Sequence, residues 1–135
     1  MKKYLTFAAM LMTSQSVLAD VAVIVNPANK QSLDQDAIQK IYLGKSKSFA
    51  DGSKVVPVNQ DGTGIANEFN DKVVGKSGSQ LNAYWSKLIF TGKATPPEKL
   101  ANDQAVIDFV AGNKQAIGYI DAASVSNKVK VIATY

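Results

Sequence analysis

The apolar positions of the chain fall into short segments of two periods. Residues 21–25, Val-Ala-Val-Ile-Val, are apolar without a break and end at Asn26-Pro27, the pattern of a strand covered on both faces and closed by a turn. Leu33, Ala37, Ile38, Ile41 and Tyr42 then recur at helical spacing, with Ser32 and Gln35 placed as a capping box and Gly44 as the stop. Residues 45–54 are polar apart from Phe49 and close on Asp51-Gly52, which reads as a loop. Val55, Val56 and Val58 predict a second strand. Asp61-Gly62-Thr63-Gly64 follows as a glycine loop, and Ile65, Phe69 and Val73 mark one side of a helix that runs to about Val74 and stops at Gly75. Ser77 and Gln80, again in capping-box spacing, open a helix carrying Leu81, Tyr84, Trp85, Leu88 and Ile89 as far as Thr91-Gly92. Pro96-Pro97 forces a turn or an extended connection. A helix over 103–111 places Val106, Phe109 and Val110 inward, and 116–120 and 129–133 read as two strands.

Strands apolar throughout, separated by amphipathic helices, predict one α/β domain with a mainly parallel sheet and helices on both faces. The expected core includes Ile38, Ile41, Phe69, Trp85, Leu88, Val106, Phe109 and Ile117. In such sheets ligands lie at the carboxyl ends of strands, beside helix N-termini, and the loop 61–64 falls at such a place. Glycines let a backbone approach a ligand closely, and the first amides of a helix have no intrahelical partner and carry the positive end of its dipole. The loop therefore reads as a cradle for an anion or a small polar ligand. The same four residues also read as a plain Asp-Gly turn with Asp61 or Thr63 as N-cap, and the pattern leaves both readings open.

Residues 1–19 carry the three parts of a secretory signal peptide: Lys2 and Lys3, a largely apolar stretch over 5–12, and Val17-Leu18-Ala19 ahead of Asp20. The expectation is cleavage after Ala19 and an exported, soluble, periplasmic product of residues 20–135. The apolar stretch is shorter than the roughly 20 residues a membrane span needs, no later segment is continuously apolar enough to cross a bilayer, and without Cys there is no residue for an N-terminal lipid anchor. The 116 residues left (135 − 19) make one domain of ordinary size, able to bury roughly 65% of its unfolded surface without a disulfide or a metal. With neither Cys nor His, zinc sites, Cys or His nucleophiles and Ser-His-Asp triads are excluded, and no cofactor or metal is expected. The basic residues are all Lys, and residues 20–135 hold 13 of them against 11 acids, a net charge of +2. That is too mild a charge to argue for nucleic acid or membranes. The lack of Arg matters more, because bidentate recognition of phosphate or carboxylate is an Arg property that Lys does not reproduce.

Five pieces of the chain, in order, resemble the periplasmic phosphate-binding proteins of ABC transporters, and more closely their short single-lobe relatives. Val21-Ala22-Val23-Ile24-Val25-Asn26-Pro27 looks like the strand that enters the second lobe. Leu33, Ile41-Tyr42-Leu43-Gly44 and Asp51-Gly52 are similar to the family's helix and Asp-Gly turn. Val58-Asn59-Gln60-Asp61-Gly62-Thr63-Gly64 stands where the family has its phosphate loop. Tyr84-Trp85 with Phe90-Thr91-Gly92, and then Ala116-Ile117-Gly118-Tyr119-Ile120, resemble the short relatives. The resemblance implies a single lobe of a type II periplasmic-binding-protein-like fold, with ligand-binding residues Asn59, Asp61, Gly62, Thr63 and Gly64. Thr63 keeps the hydroxyl of the family's Ser. Asn59, however, replaces the Arg that forks onto phosphate, Ile65 replaces a Thr, and the chain has length for only one of the two lobes that close over a ligand.

The remaining candidates read as structural. Trp85 and Tyr84 lie on a helix with Leu81 and Leu88 and read as core, and Tyr119 reads as core or edge packing. Asp34 and Asp36 complement a helix dipole, and neither Asp103 nor Asp108 has a partner carboxylate for acid/base work, so no enzyme is expected. Two functions follow from the resemblance and its departures. One is an exported solute-binding protein for phosphate or a related oxyanion, held weakly and passed to an ABC transporter permease or an envelope sensor protein. The other is an envelope accessory or partner-docking module that has lost its ligand.

Overall fold

The computed structural model describes residues 20–135, so the expected signal segment 1–19 lies outside the described residues. Five strands form one sheet: β1 (Val21–Val25), β2 (Val56–Gln60), β3 (Glu98–Leu100), β4 (Ala116–Asp121) and β5 (Lys130–Thr134), in the order β3-β2-β4-β1-β5. β2 runs parallel to β3 and to β4, whereas β1 pairs antiparallel with β4 and β5. Four strands thus point one way and β1 runs against them, giving a mixed sheet. β1 is buried along its whole length, as its unbroken apolar run requires.

Side-chain alternation along the strands divides the core in two. Val21, Val23, Val25, Ile117 and Tyr119 face the side covered by α1 (Gln35–Tyr42) and α2 (Gly64–Phe69). Ala22, Ile24, Val58, Ala116 and Ile120 face α4 (Asp103–Ala111). Gly118 lies under α4, where a Cβ would come 2.6 Å from Val106 Cγ1, so the helix packs on bare backbone. α3 (Gly78–Phe90) lies outside this frame. It touches the first core through Leu81 and Tyr84, whose hydroxyl donates to Leu43 O at 2.7 Å, and none of its residues is fully buried.

Several local expectations need correction. The cap of α1 is Asp34, whose Oδ1 accepts from Ala37 N at 2.8 Å, and not a Ser32/Gln35 box. An Asp one position before the helix outcompetes a Ser two residues earlier, because its side chain reaches the N3 amide directly. The helix read as running to Val74 is α2 followed by a π-helical turn over Asn70–Val74. Trp85, Leu88 and Phe109 are half-buried, and the α4 residue that fills the core in place of Phe109 is Ile107. The capping box of α3 is present, with Ser77 N donating to Gln80 Oε1 at 2.9 Å and Gln80 N to Ser77 Oγ at 3.3 Å. The connection at Pro96-Pro97 carries no regular secondary structure and leads into β3.

Candidate functional site

β2 and β4 share a ladder only at Val56↔Ala116 and Pro57↔Ile117. Pro57 has no N–H to give, and side chains take over the pairing beyond it. The Tyr42 hydroxyl bridges Val58 O (2.8 Å) and Ile117 O (3.2 Å), while Gln60 Nε2 donates to Tyr119 O (3.0 Å) and Gln60 N to the Tyr119 hydroxyl (3.0 Å). Both tyrosines are buried, and with Phe69 they form an aromatic cluster. Phe69 stacks on Tyr119 at 3.9 Å between ring centroids, and Tyr42 meets both edge-on. Burial pushes the Tyr42 and Tyr119 hydroxyls above the ordinary phenol range, so at neutral pH both remain hydrogen-bond donors. The cluster sits beneath the carboxyl end of β2 and fixes the residues that leave the sheet there.

Gln60 is the buried hinge of this arrangement. Its Nε2 also donates to Asp103 Oδ1 at 2.7 Å, and its Oε1 accepts from Thr63 Oγ1 at 2.8 Å. Asp103 Oδ2 in turn accepts from Ser124 Oγ at 2.7 Å and from Asp121 N at 3.3 Å. Thr63 is the N-cap of α2, its Oγ1 accepting from Ala66 N at 3.1 Å. The carboxyl ends of β2 and β4 and the start of α4 are thereby tied into one network, and the negative charge at this side of the loop comes from Asp103 and Asp121.

The five residues expected at the site divide between the two sides of the loop. Asn59, Asp61 and Gly62 line a cleft of about 540 Å³ between β2, the α2 region and α3, while Thr63 lines a separate shallow polar depression with Asp103 and Ser124. Gly64 lines neither, and outside its chain neighbours and its own helix backbone no heavy atom lies within 4 Å of where its Cβ would be. Gly62 has φ +71 and equally open space around it, a backbone that few side-chain-bearing residues adopt. Among the described residues the amides of Gly62, Thr63 and Gly64 have no acceptor, whereas Asp61 N donates to Leu100 O at 2.9 Å. Asn59 is turned toward the sheet. Its Oδ1 accepts from the Tyr119 hydroxyl and from Gln60 N, which leaves Nδ2 without a partner among the described residues. Tyr119 is therefore a core residue that orients a cleft residue.

Sequence reasoning missed most of the cleft. Its far walls are Leu81, Trp85 and Ile89 of α3 and Pro96-Pro97, with the carboxamides of Asn67, Asn70 and Asn82 between them. Among the described residues Lys99 is the sole cation of the lining and Asp61 the sole anion. Asn70 is buried, and its enclosed Oδ1 has no hydrogen-bond partner among the described residues. The signal that could have found the α3 wall was its composition: Trp85, Leu88, Ile89 and Phe90 are more apolar surface than one helix face can bury, and Ile89 and Phe90 end up 54% and 93% exposed. Among the described residues no group of three or more acidic residues could hold a metal ion, and no helix is long and apolar enough to cross a membrane.

No family model matches the sequence, and no curated protein does. Solved structures do match the fold. An ABC-type phosphate transport receptor from Vibrio cholerae is similar over 84% of this chain and 46% of its own, with a TM-score of 0.66 and 22% identity. A protein classed as a phosphate ABC transporter substrate-binding protein, solved with bound phosphate, from Clostridium perfringens covers 84% of this chain and 45% of its own at a TM-score of 0.60 and 25% identity. PstS from Borrelia burgdorferi covers 97% of this chain and 65% of its own at a TM-score of 0.63 and 14% identity. The chain thus has the fold of part of a phosphate ABC transporter substrate-binding protein, and it spans less than half the length of the first two of these neighbours.

Proposed function

We propose that this chain is an exported, non-enzymatic solute-binding domain that holds phosphate or a related oxyanion weakly at the glycine loop. The observation that carries the reading is the loop itself. It leaves the carboxyl end of β2 with the amides of Gly62, Thr63 and Gly64 unpaired and open space beside both glycines, at the start of a helix whose dipole favours an anion. Asn59 Nδ2 and Lys99 add donors from the cleft side. Asp61 orients the loop or accepts from a protonated ligand oxygen. The Thr63 hydroxyl is committed to Gln60 and Ala66, so backbone amides do most of the work. Charge-assisted bonds are worth about 1.5–3 kcal/mol each. Without a guanidinium, and with the anion wet on one side, a dissociation constant on the order of 0.1 mM or weaker is expected. Export with cleavage after Ala19, and delivery to a transporter permease or an envelope sensor, belong to the same proposal.

Titration calorimetry with phosphate, sulfate and small carboxylates tests it. Asn59→Arg should tighten phosphate binding by roughly tenfold to a hundredfold, and Gly64→Val, whose Cβ would meet nothing beyond its own stretch of chain, should abolish it. If the wild-type protein gives no heat and Asn59→Arg creates none, the loop binds no anion. The second reading then gains, that of a docking module without a ligand, which the exposure of Ile89 and Phe90 favours.

A further inference from the structure

We infer that the cleft takes a phosphate monoester with a hydroxylated organic body, the phosphoryl group on the glycine loop and the body lying across α3; this rests on the anion site proposed above. The first reason is size. A volume of about 540 Å³ falls within the roughly 300–1,000 Å³ of clefts that enclose whole small molecules, and a tetrahedral oxyanion seated on the loop leaves most of it unfilled. The second is the chemistry of the far walls. Leu81, Trp85, Ile89 and Pro96-Pro97 offer apolar and aromatic surface, which an inorganic anion cannot use and the carbon skeleton of an ester can.

The third reason lies in the polar groups between those walls. Asn67 and Asn82 bring carboxamides, which both donate and accept. Hydroxyls also do both, whereas the oxygens of a fully ionised oxyanion only accept. Asn67 and Asn82 are exposed, so their carboxamides are open to a ligand in the cleft, whereas the Oδ1 of Asn70 is enclosed and serves the wall. Finally, with Lys99 and Asp61 the only charged residues in the lining among the described residues, the cleft suits a ligand that is neutral over most of its surface and charged at one end.

The test compares inorganic phosphate, glycerol 3-phosphate, glucose 6-phosphate and glucose by calorimetry at fixed ionic strength. Fluorescence of Trp85, the sole tryptophan of the chain, is the second readout. At least one ester should bind tenfold or more tighter than phosphate, glucose should bind at least tenfold more weakly than its phosphate, and only the esters should change the Trp85 emission. Asn67→Ala and Asn82→Ala, both exposed, should weaken ester binding severalfold and leave phosphate binding unchanged. Equal affinity for phosphate and both esters, with no response from Trp85, overturns this inference and leaves the anion site standing. Glucose binding as tightly as glucose 6-phosphate overturns it because the phosphoryl group is then idle. Heat from none of the four removes the anion site and the inference together.

Discussion

At the scale of single residues, two positions show how closely the sheet is fitted to what covers it. Gly118 is in the middle of β4, where a side chain would ordinarily strengthen a strand. A Cβ there would lie 2.6 Å from Val106 Cγ1, 3.2 Å from Val58 Cγ2 and 3.3 Å from Val110 Cγ2, all three in buried side chains of one core. Gly118→Ala should therefore destabilise the protein by about 1–3 kcal/mol, the usual cost of overpacking, read as a lower denaturant midpoint at unchanged slope. An unchanged midpoint would mean that α4 can lift off the sheet without loss. The aromatic cluster makes a second prediction at this scale. Burial raises the Tyr42 and Tyr119 hydroxyls above the value of about 10 that they have in the unfolded chain, so above that pH the unfolded chain binds fewer protons than the folded one. The stabilising contribution of each tyrosine is complete below pH 10 and falls as the pH rises past it, by up to about 1.4 kcal/mol per pH unit. Urea midpoints measured from pH 9 to 11 should show the decline, and Tyr42→Phe should reduce its slope whatever that variant does to the midpoint at pH 9. An identical slope in the variant would place the alkaline loss elsewhere.

At the scale of elements, α3 separates what the sequence states from what only the fold decides. Its ends are legible, since the Ser77 and Gln80 capping box and the Thr91-Gly92 stop are local chemistry. Its burial is not, because an apolar stripe at helical spacing looks the same whether the facing surface is a core or a cleft. Trp85 illustrates the ambiguity. Its ring lies over Gly44, where a Cβ would be 2.8 Å from Trp85 Cη2, and its other side lines the cleft. Trp85→Ala should accordingly cost about 2 kcal/mol, below the 3–5 kcal/mol of a fully enclosed ring. A loss within that higher range would show that α3 is clamped more tightly than its half-exposure implies. The same distinction runs through the site. Asn59 came only from the family resemblance, whereas Asp61 and Gly62 were legible because the turn and the glycines are short-range signals, and so was the strand-to-helix passage that holds them. Gln60, Asn70 and Asn82 were not, because each belongs to the cleft through partners or neighbours distant in sequence: Gln60 through Tyr119 and Asp103, the two asparagines through the approach of α3 to β2. The Asp34 cap and the exchange of Ile107 for Phe109 are errors of one or two residues in phase, which a hydrophobic period alone does not resolve.

At the scale of the whole molecule, β1 makes one unit out of two cores. Its odd positions, Val21, Val23 and Val25, pack under α1 and α2, and its even positions, Ala22 and Ile24, pack under α4. It is bonded on both edges, to β4 and to β5, and the first and last strands are joined by paired bonds of 2.9 Å between Val21 and Tyr135. Opening either core exposes the back of the strand that forms the other, so local unfolding of one side has little to hold it at an intermediate stage. The protein should unfold in a single transition, with far-ultraviolet circular dichroism, which averages over all elements, and Trp85 fluorescence, which reports the α3 side, giving the same midpoint. Ile24→Ala removes side-chain atoms from the α4 core alone and should lower both midpoints together by an amount equivalent to about 2–5 kcal/mol. Val23→Ala, on the opposite face, should do the same with a smaller loss. If Ile24→Ala moved the dichroism curve and left the Trp85 curve in place, the two faces would be separate cooperative units and β1 would be only their common wall. Coincident curves in both variants would also mean that a ligand at the cleft stabilises the entire domain, so that binding at 100 times its dissociation constant raises the unfolding free energy seen by either probe by about 2.7 kcal/mol.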